Sequence, residues 1–225
     1  MNAVNDAPVI DSASFGVASV GCPTTAGTNN ATLTVSFHDV DASDSHTATI
    51  NWGDSTSTGP FAVSQPSFSR SHSYSAAGTY TATVTVSDGT LSDSESTSVT
   101  VNYNVVGGGF KQPVNNTRNG QPLSIFKHGS TIPLKLEVTD CNGTHPTNLV
   151  IKIYWQKISG GVPQGELEAV ATNSPDTGNV MRVVDSHYMF NWNTKLATDP
   201  TSTIRIQANI IATGQIIYSD IGLKL

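Results

Sequence analysis

TYTATVTVSD, residues 79–88, decides the fold. Tyr80, Ala82, Val84 and Val86 fall on one side of an extended chain, and Thr79, Thr81, Thr83 and Thr85 fall on the other. A period of two with β-branched residues on both faces predicts a strand with one dry and one wet side, as in an antiparallel sheet. The same alternation recurs upstream in TLTVSF (32–37) through Leu33, Val35 and Phe37, and in TATINW (47–52) through Ala48, Ile50 and Trp52. It recurs downstream in Val99, Val101 and Tyr103. WGDS, AAGT and SDGT separate these runs as turns.

Gly107, Gly108 and Gly109 follow, and the alternation then restarts. It runs through Ile132, Leu134, Leu136 and Val138; then Val150, Lys152 and Tyr154 interleave with Leu149, Ile151, Ile153 and Trp155; Tyr188, Phe190 and Trp192 follow, then Ile204, Ile206, Ala208 and Ile210, and the last strand holds Ile221, Leu223 and Leu225. No stretch carries a helical period over three turns. Residues 156–180 carry the least pattern and read as a long loop. The expected architecture is all-β: two tandem immunoglobulin-like β-sandwiches joined by a Gly-rich linker. The domains expected are 1–104, a linker over 105–109, and 110–225.

The 225 residues carry a net charge of −6, unevenly spread. Through Tyr103 the only basic residue is Arg70, against nine acids, so that half carries −8 and the remainder +2. An acidic first half with so few cations argues against a nucleic acid partner, and it leaves room for a divalent cation. There is no apolar run of about 18 residues, so no membrane span is expected. MNAVNDAPVI has neither the basic nor the apolar region of a signal peptide, which suggests a piece whose export signal lies elsewhere. Cys22 and Cys141 fall one in each expected domain, so the alternatives are a bridge between domains or two free thiols.

The acidic loop DVDASD (39–44) is the best candidate site. Asp39, Asp41 and Asp44 stand at i, i+2 and i+5, a spacing that a short loop can bring together around Ca²⁺, which takes six to eight oxygens. Asp54, in the turn after Trp52, is a further candidate. If strands 32–37 and 47–52 pair as a hairpin, however, its turn lies at the opposite end from the loop. Its carboxylate has a competing structural role, accepting the N–H groups of its own turn. Trp52 and Tyr80 are in phase with core residues, and the Tyr80 hydroxyl is placed to cap a loop as a tyrosine corner does. The six histidines show no HxxxH or HExxH spacing, and neither GxSxG nor a phosphate-cradling Gly-rich loop is present. No catalytic residue is expected.

Over residues 5–103 the chain resembles the PKD (polycystic-kidney-disease-type) domain. The resemblance rests on SFHDVDASDSHTATINWGDST, on RSHSYSAAGTYTATVTVSDG and on the closing STSVTVNY. The WGDG signature appears as Trp52–Ser55, with Ser55 in the last Gly position, and the HxYxxxGxYxxxVxVxDG element is intact from His72 to Gly89. The resemblance implies an extracellular immunoglobulin-like sandwich that serves adhesion, contact with protein or polysaccharide, or spacing. It also implies hydrogen-bonded structural roles for His46 and His72. Some PKD domains bind calcium through the N-terminal linker and the acidic loop, which adds Asn5 and Asp6 to the candidate Ca²⁺ ligands.

Residues 110–225 resemble, less specifically, a bacterial surface domain known by its PxKF motif, here Pro133–Leu136 with Leu136 in the Phe position. The reading that follows is a non-catalytic, extracellular or cell-surface module of a larger secreted protein. Its expected partners are other domains of that protein and a polysaccharide or protein ligand. Two alternatives remain: a carbohydrate-binding accessory module of a secreted hydrolase, with Tyr154 or Phe61 exposed, and a self-assembling filament or surface-layer subunit.

Overall fold

A computed structural model of the chain describes residues 4–22, 30–41, 43–169, 178–196 and 201–225. Contacts divide it into one unit ending at Asn102 and another beginning at Tyr103. The first unit contains β1 (Val9–Phe15), β2 (Ser19–Gly21), β3 (Ala31–His38), β4 (His46–Asn51), β5 (Ser57–Val63), β6 (Ser67–His72), β7 (Gly78–Ser87) and β8 (Ser92–Asn102). One sheet has the order β1-β3-β6 and the other β2-β8-β7-β4-β5. The pairings are antiparallel except β2 with β8, which run parallel.

The alternation read from the sequence is the burial pattern. Leu33, Val35, Phe37, Ala48, Ile50, Ala82, Val84, Val86, Val99 and Val101 are each at most 1% exposed. Trp52 and Tyr74 join them in the core, whereas Tyr80 is half-buried. The intervening hydroxyls pair across strands: Thr81 with Ser98 at 3.0 Å, Thr83 with Ser96 at 2.9 Å and Thr85 with Ser94 at 2.8 Å. Such pairs are the unit of sheet stabilisation on a solvated face.

The segments 32–37 and 47–52 do not form a hairpin. β3 pairs with β1 and β6, while β4 pairs with β5 and β7. Each strand has a single apolar face, and a sandwich buries both faces only if they lie in opposite sheets. The chain therefore changes sheet between His38 and His46, at one end of the sandwich.

The second unit repeats this plan. Its strands are β9 (Asn104–Val105), β10 (Ser124–Lys127), β11 (Thr131–Leu136), β12 (Val138–Thr139), β13 (Ile151–Ser159), β14 (Val162–Ala169), β15 (Arg182–Val184), β16 (His187–Asn193), β17 (Thr203–Ile210) and β18 (Gln215–Lys224). The sheet β10-β18-β17-β13-β14, with β10 parallel to β18, matches β2-β8-β7-β4-β5 strand for strand. The opposing layer is β11-β16-β15, with the short β9–β12 pair beside it. Both units are immunoglobulin-like sandwiches. Trp192, Phe190, Tyr188, Trp155, Ile151 and Ile153 of β13 and Ile204, Ile206 and Ile210 of β17 fill the second core.

Two expectations fail in this unit. The stretch 156–180 is not one long loop, because β13 runs on to Ser159 and β14 occupies Val162–Ala169; residues 170–177 lie outside the described residues. Nor is 105–109 a linker between 1–104 and 110–225. The boundary falls at Asn102/Tyr103, and the glycines belong to the second unit. β9 pairs with β12, and the side-chain amides of Asn116 and Asn119 donate to the Gly107 carbonyl at 3.1 and 3.3 Å. Gly109 is buried, and a Cβ there would come within 2.6 Å of Asn116 Nδ2. Gly109 admits the Asn116 side chain against the backbone rather than loosening the chain.

The WGDS turn tests how closely backbone geometry is set. Gly53 has φ +81°, and a Cβ there would run into the carbonyl oxygen of Thr81. Ser55 also takes a left-handed φ of 71° without being glycine. Ser55→Gly should therefore raise stability by about 0.5–1 kcal/mol, the relief of left-handed strain less the added freedom of the unfolded chain. Gly53→Ala should lower it by about 2 kcal/mol or more. Denaturant titration of the two variants measures both signs.

Candidate functional site

Because β4 and β7 are antiparallel, with Thr47 opposite Ser87, the loop entering β4 and the turn leaving β7 share one end of the first sandwich. That end gathers acids. Single carboxylate oxygens of Asp39, Asp44 and Asp88 all lie within 4.8 Å of one another. Of the six residues expected to ligate, two are in this group, Asp39 and Asp44. Asp88, from the SDGT turn, is the third member.

Each carboxylate is held differently. Asp39 is buried: its Oδ1 accepts the Asp41 N–H at 2.9 Å, and its Oδ2 lies 2.9 Å from His46 Nε2. The His46 and Asp41 hydrogen bonds hold the Asp39 carboxyl below the usual carboxylate range. Asp88 Oδ1 accepts the backbone N–H groups of Leu91 and Thr90 at 2.7 and 2.6 Å, closing an Asx turn. Those bonds, with the Asn5 amide and the Thr90 hydroxyl, hold Asp88 well below the usual range. The Asp44 carboxylate takes no hydrogen bond among the described residues. Three carboxylates this close repel unless a positive group lies between them. Their oxygens are the hard donors that Ca²⁺ prefers.

The other expected ligands stand around this group or away from it. Asn5 donates through Nδ2 to Asp88 Oδ2 at 2.8 Å, and the Asp6 backbone N–H donates to Asp41 Oδ2 at 2.9 Å. The N-terminal segment thus reaches the acidic end, but as a donor to the acids. Asp41 is spent on Asp6 and is not one of the three converging carboxylates. Asp54 lies at the opposite end, as the turn after β4 must, and it plays the structural role. Its Oδ1 accepts the Thr56 N–H at 3.0 Å, and its Oδ2 lies 2.8 Å from His72 Nε2. Burial pushes Asp54 up, but the Thr56 and His72 hydrogen bonds outweigh it and leave the carboxyl below its usual value.

His72 stacks on Trp52 with 4.6 Å between ring centroids, and the Tyr74 hydroxyl donates to the Trp52 carbonyl at 3.0 Å. Burial pushes the Tyr74 phenol up to about 12. The Tyr80 hydroxyl donates to the Ala76 carbonyl at 2.9 Å, the loop-capping role read from the sequence. His46 and His72 are thus both bound to aspartates that brace loop ends. Cys22 and Cys141 are both disulfide-bonded, so the free-thiol alternative does not hold. No helix among the described residues is long and apolar enough to cross a membrane.

No family model matches the chain, and no curated protein does. Among solved structures, it is similar to the PKD domain of an M14-like peptidase from Thermoplasmatales archaeon SCGC AB-540-F20. That match has 24% identity and a TM-score of 0.35, and covers 44% of this chain and 98% of that one. It is also similar to the endo-fucoidan hydrolase MfFcnA4 of glycoside hydrolase family 107, at 16% identity and a TM-score of 0.32, over 97% of this chain and 29% of that one. The surface layer protein SbsC, domains 1–6, matches at 13% identity and a TM-score of 0.28, over 96% of this chain and 28% of that one. This chain spans less than a third of the hydrolase and surface-layer chains.

Asp39, Asp54 and Asp88 all have folded pKa values below the ordinary 3.8. At acid pH the unfolded chain therefore binds more protons than the folded one. The stability they contribute is complete above about pH 4 and is lost as pH falls through the folded values. Calorimetric melting of the chain from pH 6 down to pH 2 should show the first unit weakening below about pH 4. Asp39→Asn should weaken that unit at pH 6 and flatten the decline.

Proposed function

We propose that the chain is a non-catalytic, extracellular module of a larger secreted or cell-surface protein, which spaces its neighbours and offers contact surface to protein or polysaccharide. The observation that carries this reading is where the reactive groups are spent. Each buried or half-buried His–Asp pair, His46–Asp39 and His72–Asp54, joins a loop to a strand end. The large aromatics Trp52, Tyr74, Tyr188, Phe190 and Trp192 are at most 2% exposed and serve as core. Oxidised cysteines fit a secreted setting.

Prolines on the outer strands weigh against assembly by edge pairing. Pro60 lies in β5, Pro133 in β11 and Pro163 in β14, each an edge of its sheet. A proline withholds an N–H from any added strand. Incubated with polysaccharides or proteins, the chain should bind without turnover. New reducing ends or new amino termini, above those given by heat-unfolded protein, would refute the non-catalytic reading.

On the same reading, Asp39, Asp44 and Asp88 hold Ca²⁺, with carbonyls and water completing its shell, and the ion ties the loop before β4 to the turn after β7 at one end of the first sandwich. The mutual approach of three carboxylates supports this. A ligand that binds only the folded state raises the melting midpoint. Millimolar Ca²⁺ should raise the midpoint of the first unit by about 5 °C over that in chelator. Asp88→Asn should abolish the rise and Asp54→Asn should leave it. An unchanged midpoint in the unmodified chain removes the ion.

A further inference from the structure

The two sandwiches share a strand order, so their corresponding sheet faces can be compared directly. In the first unit, the outward face of β7 and β8 carries small hydroxyls that satisfy one another, Thr81 with Ser98 and Thr83 with Ser96. That is sufficient for a face that only meets water. The matching face of the second unit is built otherwise. Across β13, β17 and β18, the pairs Tyr154↔Gln207 and Gln207↔Tyr218 form one lateral row of two phenols flanking an amide. All three are half-buried and point away from the core, since Ile153, Ile206 and Ile217 beside them point inward. The tyrosines stand two strands apart, about 10 Å.

Cations surround this row. Tyr218 carries two guanidiniums, with Arg205 Cζ at 4.1 Å and Arg118 Cζ at 4.6 Å from its ring centroid. Arg205 is spent on Asp220 in a two-point contact, Nε to Oδ1 at 2.8 Å and Nη2 to Oδ2 at 3.0 Å. Arg118 and Lys152 face no acid within ion-pair distance among the described residues. Tyr218 fixes the Arg118 guanidinium in place by cation–π attraction, so little entropy is lost when it meets an anion. The face therefore presents two uncommitted positive charges at the margin of a row of phenol and amide groups.

We propose that this outward face of β13, β17 and β18 binds an anionic polysaccharide. The carboxylate or sulfate groups would lie against Arg118 and Lys152, and the sugar rings along Tyr154 and Gln207, with Tyr218 holding Arg118 beside them. Charge complementarity supplies the anion. Phenols and amides in a row suit a ligand that is hydroxyl-rich on its edges and apolar on its ring faces. Two cations are too few to track a nucleic acid backbone. The proposal deepens, and rests on, the reading of the chain as a non-catalytic contact module.

The test is affinity electrophoresis and calorimetric titration of the full 225-residue chain. The probes are polygalacturonate, dextran sulfate, uncharged dextran and a short DNA duplex. At least one anionic polysaccharide should bind, more weakly as salt rises, while uncharged dextran should not. Arg118→Gln with Lys152→Gln should weaken that binding about tenfold or more. Tyr154→Ala alone should weaken it several-fold. The charge variants remove no core atom and should melt as the unmodified chain does, whereas Thr83→Val on the first unit should leave binding intact. Indifference to both anionic polysaccharides, binding unchanged in the double variant, or DNA bound as tightly as the polysaccharide each overturns the proposal. Those failures leave the spacer reading standing. Cleavage of the bound polysaccharide would instead remove the non-catalytic reading and leave the face.

Discussion

Each half of this chain folds because a strand with one apolar face has nowhere to hide it except against another such strand. Leu33, Val35 and Phe37 on β3 and Ala48 and Ile50 on β4 are adjacent in sequence, yet they face each other from opposite sheets. Burying them is worth on the order of 1.5–3 kcal/mol for each large side chain, far more than the hairpin hydrogen bonds forgone, which are made with other strands instead. The change of sheet between His38 and His46 follows from that preference. So does the gathering of loops at the two ends of the sandwich, and with it the meeting of Asp39 and Asp44 with Asp88. The acidic group is a by-product of sheet closure that the sequence furnishes with carboxylates.

Much of this was legible beforehand, and the reason is the period of two. β3, β4, β7, β11, β16 and β17 announce themselves because each lies between a core and solvent, and their residues alternate accordingly. β14 does not, because it is an edge strand whose residues are mostly exposed on both sides. In β5 the alternation is interrupted by Gly59 and Pro60. Pairing partners were less legible still, since the register between β4 and β7 depends on packing with the opposite layer.

The candidate site shows the same division. Asp39 and Asp44 are legible as neighbours because they stand close in sequence. Asp88 is not, because it lies far along the chain, in a turn that explains an aspartate without further function. The signal that finds it is the antiparallel alignment of β4 with β7, which puts the turn after Ser87 beside the loop before Thr47. Asp54 belongs to the other end for the complementary reason, since one strand length separates the two turns. The glycines at 107–109 differ again, because a run without side chains reads as slack, whereas Gly109 is packed against Asn116.

The hydroxyl pairs on the first sandwich carry one more implication. Thr81–Ser98, Thr83–Ser96 and Thr85–Ser94 occupy each other across β7 and β8, without a charge among them. Neutral bonds of this kind are not screened by dissolved ions, as surface ion pairs are. These cross-strand contacts are therefore indifferent to salinity.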